Sequence, residues 1–379
     1  MSALLDHLKG RIAREGALDI ATYMAAALGH PEHGYYRRAD PIGRGGDFTT
    51  APEISQMFGE LLGLWCVETW TRMGAPAPFV LAEFGPGRGT LMADALRAAR
   101  VRPAFLDAMR LHLVETSAPL RAAQAERLAA HRPHWHDTAA TLPDGPLIAL
   151  GNEFLDALPI RQFEQTGDGW RERGVVWHDA SQRLAFTRLP HRPDARATAH
   201  LPAAAPMGAI AEVPVAALDL VVALARRLAA TGGAALFVDY GYALAPDAPR
   251  EWSGSLQAVT RHGRADALAD PGAHDLSAHV DFFALAQVAR AAGAAVHGPA
   301  TQGAFLEALG IHARADTLMA RADPKGRAAI AVAFHRLVAP SAMGGLFKAM
   351  AIAHPALGAM PEFHGPAQPG PLPGAPRDD

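Results

Sequence analysis

One stretch narrows the fold more than any other. Val80-Leu81-Ala82-Glu83-Phe84-Gly85-Pro86-Gly87-Arg88-Gly89-Thr90-Leu91 is an apolar run that ends in an acid, a glycine-rich turn and a helix start. Phe79 to Phe84 predicts a buried parallel strand, Gly85 to Gly89 a tight turn, and Leu91 to Arg100 a helix with Leu91, Ala95 and Leu96 facing inward. Such a unit is the opening βα step of a nucleotide-binding sheet. Glycine serves it twice: the turn asks for dihedrals that a Cβ resists, and the backbone N–H groups at the helix start must stay open to a ligand.

The spacing of the glycines selects among ligands. A dinucleotide fingerprint requires G-x-G-x-x-G, and counting from Gly85 and Gly87 puts Thr90 at the third position, with Gly89 one residue early. The observed acid-x-G-x-G-x-G order is the pattern of S-adenosylmethionine sites, in which the loop wraps adenosine, a sulfonium and an amino acid. Glu83 is then close enough to meet the ligand's ammonium; a generic βα turn is the plain alternative. Leu111 to Glu115 is a second strand ending in a carboxylate, which a parallel sheet brings beside the glycine loop. There Glu115 can accept both hydroxyls of a ribose, although Ser117 and Pro119 also fit a helix start in which it is only an N-terminal acid. His134 to Asp137 reads as a short third strand that offers Asp137 to an adenine amino group. Pro146 to Leu150 is a further apolar strand, running into Gly151, Asn152, Glu153, Asp156 and Pro159. This edge of an open α/β sheet is where substrates lie, so the carboxylates are candidates for holding an acceptor cation; a capped loop-to-helix turn is the structural alternative.

Composition bounds the function class. A chain of 379 residues with a formal net charge of -3 has room for a large core, and nothing in its charge attracts nucleic acid or an anionic membrane. Cys66 is the only cysteine, which excludes an internal disulfide framework and fits a reducing cytoplasm. We expect a soluble protein, with no apolar stretch of roughly 18 residues to span a membrane and no signal peptide at the start. His131, His134 and His136 lack an acid-histidine helix motif in a chain holding 18 histidines, so they read as surface residues and no metal is expected.

In chain order, residues 3 to 29 predict two helices. A long glycine-rich loop follows, carrying His33-Gly34-Tyr35-Tyr36 and Gly46-Asp47-Phe48-Thr49-Thr50, and enters a helix from Pro52 to Arg72 through Glu53. Residues 160 to 190 alternate as antiparallel strands, Pro214 to Thr231 is a helix, and Ala235 to Asp239 is a buried strand with Tyr240 at its active edge. Arg250 to Asp270 reads as irregular, with His279 near the substrate face beyond it. Helices are expected at 302 to 322 and 324 to 338, a last strand from Leu346 to His354, and a disordered Pro/Gly-rich tail. The helix face of Phe58, Leu61, Leu62 and Trp65 suits either the core or a homodimer contact.

His33-Gly34-Tyr35-Tyr36, Asp40-Pro41-Ile42-Gly43, Gly46 to Gln56, Glu83 to Leu91, Gly151 to Pro159, Asp239-Tyr240-Gly241, Asp275 to Phe282, Thr301-Gln302-Gly303 and Met343 to Lys348 together resemble the MidA family, over nearly the whole chain. Ser277 stands where the family pattern has threonine. The resemblance implies a class I methyltransferase related to the mitochondrial complex I assembly factor that methylates an arginine. It implies an α/β, Rossmann-like sheet at 76–355 with insertions near 160–210 and 250–340, preceded by an N-terminal helical region at 1–75. The implied cofactor is S-adenosylmethionine, held by Glu83, Gly85, Gly87, Gly89, Glu115, Asp137 and Asn152. The implied acceptor is a protein arginine, such as one in an NADH dehydrogenase subunit, with Glu153 orienting the guanidinium and Asn152 and Asp156 in support. Guanidinium suits a carboxylate cluster because its planar N–H edges can be gripped bidentately. Asp47, Thr49, Glu53, Tyr240 and His279 are expected on the substrate side. A nicotinamide oxidoreductase, disfavoured by Gly89-Thr90, and a non-catalytic assembly factor are the competing readings.

Overall fold

The computed structural model describes residues 2–37, 50–245, 248, 250–260 and 263–363. Asp47, Thr49 and the tail from residue 364 lie outside the described residues.

The apolar runs become a central sheet of β1 (Phe79–Phe84), β2 (Met109–Val114), β3 (His134–His136), β4 (Leu147–Asn152), β5 (Gly233–Tyr242), β6 (Ala295–Thr301) and β7 (Phe347–Ala353). Its spatial order is β6-β7-β5-β4-β1-β2-β3, with β7 antiparallel to both neighbours and β1 to β5 parallel. All six residues of β1 and of β4 are buried, as expected of strands covered on both faces. The strand order reverses between β1 and β4, and a crevice opens beyond their C-terminal ends. A short strand, Val280–Asp281, prolongs this edge by pairing with Gly241 and Tyr242 at the end of β5.

Helices α1 (Ala3–Glu15) and α2 (Ile20–Gly29) pack with the antiparallel strands Gly169–His178 and Arg183–Arg188 in one apolar cluster that includes Leu8, Tyr23, Val175 and Leu184, while the adjoining strand Arg161–Thr166 places Phe163 in the cluster of the central sheet. The expected helix from Pro52 to Arg72 is two: α3 (Ala51–Ile54) and α4 (Gln56–Arg72). Ser55 adopts an extended conformation between them and its hydroxyl accepts from the Met57 N–H at 3.2 Å, so it caps the second helix and ends the first. Phe58, Leu61, Leu62 and Trp65 of α4 are at most 2% exposed and belong to the core. Helix α4 lies against α5 (Thr90–Ala98), the helix that leaves the glycine loop. Helices α6 (Ala118–Arg127), α7 (Val215–Thr231) and α8 (Phe282–Ala291) follow.

Three further readings are corrected. The helix expected at 302 to 322 divides at Gly310, whose φ of +89° ends α9 (Gln302–Ala308) and starts α10 (Ile311–Met319). Residues 250 to 270 contain the strands Gln257–Thr260 and Gly263–Ala265, which pair with each other, and Gln257–Thr260 also pairs with the distant Asp275–Ser277, a partner no local window reveals. Strand β6 was not expected, because Gly298 and Pro299 mark a loop; it lies at a sheet edge with a bulge between His297 and Ala300, where a missing N–H is tolerated. The expectation about membrane spans also needs correction. Among the described residues, Pro324–Leu346 is long and apolar enough to cross a membrane by length and composition, since its many alanines count as apolar. It folds as α11 (Pro324–Val338), mostly exposed, and a short turn of helix after Pro340.

The contact between α4 and α5 has no spare room. A Cβ at Gly63 would stand 2.4 Å from the Ala95 carbonyl oxygen and 2.6 Å from its Cα, both backbone atoms. Gly63→Ala is therefore expected to cost about 1–3 kcal/mol, measured by urea denaturation with an unchanged slope.

Candidate active site

The glycine loop is built by conformations few residues adopt. Gly85, Gly87 and Gly89 have φ of +60°, +52° and +76°. A Cβ at Gly85 would meet the Phe154 ring at 2.8 Å, while Gly89 packs toward Leu128 and Gln124 on the far side and serves as the N-cap position of α5. Gln124, a buried residue of α6, donates from Nε2 to the Gly87 carbonyl oxygen at 2.6 Å and accepts from Trp135 Nε1 at 2.8 Å, clamping the loop from behind.

Two cavities meet at this loop. The larger, about 530 Å³, runs between Gly85 and Gly87, the end of β2 at Glu115, the start of the next loop at Asp137, and α2 with Tyr36 overhead. The smaller, about 50 Å³, lies among Glu53, Glu83, Arg88, Thr90, Asn152 and Glu153. Gly85, Gly87 and Glu153 line both.

The polar groups around them are short of partners. Glu83 is 2% exposed, and its Oε2 has no hydrogen-bond partner. Burial, reinforced by Glu115, pushes its carboxyl up to about 8. The Asn152 Oδ1 is likewise buried and without a partner, while its Nδ2 donates to Glu153 Oε1 at 3.1 Å. Glu115 accepts from the Ser117 N–H at 2.7 Å and from Gln124 Nε2 at 3.4 Å; burial nonetheless raises its carboxyl above the ordinary range. Asp137 lies at the rim, ion-paired with Arg121 at 2.6 Å.

Glu153 follows β4 with a φ of +50°, a conformation that costs a non-glycine residue of order 1 kcal/mol and persists only when its surroundings impose it. They do so from both sides. Its own N–H donates to the Val238 carbonyl at 3.0 Å, and its Oε1 accepts from the Ala51 N–H at the start of α3 at 2.9 Å. Burial raises its carboxyl to about 7 against the lowering effect of those donors. The loop beyond it is held by Asp239, which is 0% exposed. Asp239 Oδ2 accepts from the N–H groups of Phe154, Leu155 and Asp156 at 3.1, 2.8 and 3.3 Å, and Oδ1 accepts from Tyr240 at 2.8 Å.

The structure thus brings Glu53, Glu83, Gly85, Gly87, Glu115, Asp137, Asn152 and Glu153 around the joined cavities. Asp156 stands behind them, its carboxyl raised by burial and by Asp239, with its N–H given to Asp239. Tyr240 and His279 form their own pair, Oη to Nε2 at 2.8 Å, and line neither cavity. Asp239, Phe154 and Gln124 were not anticipated as site residues. An acid closing a buried strand, the signal that marked Glu83 and Glu115, also marks Asp239; Gln124 carries none, being one polar residue on a polar helix.

The residues present fit S-adenosylmethionine: a glycine cradle, a carboxylate at the end of β2, and two orphaned buried oxygens at the smaller cavity. The profile of the family Putative S-adenosyl-L-methionine-dependent methyltransferase matches residues 61–300. The chain belongs to this methyltransferase family. It is the S-adenosylmethionine-dependent enzyme that its resemblance to the MidA family implied, and the nicotinamide reading falls. Among its relatives are the mitochondrial protein arginine methyltransferase NDUFAF7 of Danio rerio, 36% identical over 91% of this chain and 86% of that one, and of Homo sapiens, 33% identical over 93% and 83%. A solved protein from Burkholderia thailandensis, bound to S-adenosyl-homocysteine, is 32% identical, covers 96% of this chain and 94% of its own, and superposes with a TM-score of 0.82.

Because the folded-state value of Glu83 lies near 8, the carboxyl is protonated at pH 6.5 in the free protein, and a ligand ammonium beside it favours the ionised form. Binding of S-adenosylhomocysteine at pH 6.5 is therefore expected to release about one proton, and affinity to rise as pH approaches 8. Calorimetry in buffers of different ionisation heat measures this. The proton release disappears in Glu83→Gln. Gly87→Val, which forces a branched residue into left-handed backbone, is expected to lose binding altogether.

Proposed function

We propose that this methyltransferase modifies an arginine side chain of a protein, with a subunit of a cytoplasm-facing NADH dehydrogenase as its acceptor. The observation that carries the acceptor chemistry is Glu153, a carboxylate fixed in strained backbone at the junction of the two cavities. The names of the curated relatives support the same acceptor class.

S-adenosylmethionine, held by the glycine loop, Glu83 and Glu115, supplies an electrophilic methyl group. The chain's own residues supply position and charge, which do most of the work in an in-line displacement. Glu153 grips the planar N–H edge of a guanidinium and turns one nitrogen toward the methyl. Asn152 donates to the Glu153 carboxylate and holds its rotamer. A guanidinium that gains a methyl must lose a proton, and a carboxyl poised near 7 can take it as the new bond forms. Asp239 adds negative charge behind Glu153, favouring the cationic acceptor over a neutral one, while burial and Asp239 hold the Asp156 carboxyl toward its neutral form. The largely apolar wall that α2 and Tyr36 give the larger cavity limits water on that side, which strengthens each of these interactions.

The test is methyl transfer from labelled S-adenosylmethionine to an extract of cells lacking this protein, followed by amino-acid analysis of the labelled acceptor. Methylarginine is expected, with Glu153→Gln slower by about 100-fold or more while still binding S-adenosylhomocysteine. Label on another residue type, or an undiminished Glu153→Gln enzyme, overturns the assignment; a binding protein without catalysis gives no label at all.

A further inference from the structure

A third cavity lies beyond the end of β5 and shares no lining residue with the two at the glycine loop. Its volume is about 220 Å³. Tyr242 and Trp252 give it aromatic walls, and Glu212, Glu251 and Asp281 give it three carboxylates. Among the described residues Arg250 is the one arginine or lysine in the lining; its Nη2 donates to the Ala245 carbonyl at 2.5 Å, its guanidinium lies over the Trp252 ring, and its charge offsets part of the field of Asp281. Two histidines, His200 and His279, are also among the described residues of the lining, and burial together with Arg196 keeps His200 toward its neutral form.

The acids are built in. Glu212 accepts from Gln162 Nε2 at 2.8 Å, from the Ser255 and Leu256 N–H groups at 2.9 and 3.0 Å, and from the Ser255 hydroxyl at 2.5 Å. Asp281 caps α8, accepting from the Ala284 N–H at 3.0 Å. The field they set up is felt locally: burial and then Asp281 and Glu212 hold the Tyr242 phenol well above its usual value. The excess of carboxylate disfavours an anion, and aromatic walls beside acids favour a cation with an apolar stem.

Its place relative to Glu153 follows from the sheet. Val238 pairs with Asn152, so Asp239 lies beside Glu153. Tyr242, in the cavity wall, is three residues further along the same strand, roughly 10 Å at about 3.3 Å per residue. The wall is also wired to the edge of the site, since the Ser255 hydroxyl accepts from the His279 N–H at 2.7 Å and His279 bonds to Tyr240 at 2.8 Å.

We propose that this cavity is a specificity subsite that takes a lysine or arginine of the substrate protein lying about three residues from the methylated arginine, the span an extended chain covers over roughly 10 Å. The proposal rests on the reading of the acceptor as a protein side chain. The charge partners are Asp281 and Glu251, with Tyr242 and Trp252 around the stem.

Short fluorescent peptides with one central arginine, otherwise uncharged, and a single lysine moved through successive positions probe it directly. Anisotropy is read in the presence of S-adenosylhomocysteine, so that no turnover is needed. Binding is expected to tighten about tenfold when the lysine stands three or four residues from the arginine, and the gain to fall below about threefold in Asp281→Asn, which keeps a capping side chain on α8. Affinity independent of lysine position, a gain unaffected by Asp281→Asn and Glu251→Gln alike, or no measurable binding by any lysine peptide overturns the subsite. Citrulline in place of the central arginine reads the acceptor assignment separately: equal affinity with citrulline defeats that assignment, while the dependence on lysine position still decides the subsite.

Discussion

The Asp239 carboxylate organises the acceptor end of the site. It is the last fully buried residue of β5 and accepts four backbone N–H groups, three of them from consecutive residues of the loop that follows Glu153. Three successive amides can converge on one oxygen only if the chain turns sharply there, and that turn requires the positive φ of Glu153. A buried charge without a cation is costly, and here the N–H groups offset the cost, so that burial raises the carboxyl only to about 6. The strain at Glu153 and the ionisation of Asp239 therefore support each other.

Acids crowd the C-terminal edge of the sheet. Glu83, Glu115, Glu153 and Asp239 end strands or follow them, and burial raises all four above the ordinary carboxylate range. A folded-state value above the unfolded one means that the folded protein binds more protons, so stability from these groups falls as pH rises from the usual carboxylate range to about 8. Cationic ligands reverse this penalty by favouring the ionised forms. A cofactor bearing an ammonium and a sulfonium, and a guanidinium acceptor, are the chemistry such an edge is suited to receive. The fold spends stability in the free protein on affinity for positive charge.

Much of this was legible in the sequence because it is local. The strand, turn and helix from Phe79 to Ala98, the acids Glu83 and Glu115, and the turn at Asn152-Glu153 each follow from runs of a dozen residues or fewer in which apolar periodicity stops at an acid or a glycine. What escaped is what depends on distant partners. The strand Gln257–Thr260 is completed by pairing with Asp275–Ser277, β6 is recruited by β7 despite Gly298 and Pro299, and Gln124 becomes a loop clamp only when α6 is laid behind Gly87. Ser55 shows the reverse: a capping residue in plain view, overlooked because the apolar pattern continued across it. Asp239 carried the same mark as Glu83, a carboxylate closing an apolar strand, yet its role lies in the amides it gathers, which belong to a segment more than 80 residues earlier.

Whether Asp239 holds the Glu153 turn is read by amide hydrogen exchange in Asp239→Asn, resolved by mass spectrometry. An asparagine must turn its NH₂ toward an N–H group on one side or the other, so it cannot satisfy both Tyr240 and the three loop amides. Exchange is expected to quicken at Phe154, Leu155 and Asp156 with the amides of β4 and β5 still protected. Unchanged protection of those three amides in a folded variant would contradict it.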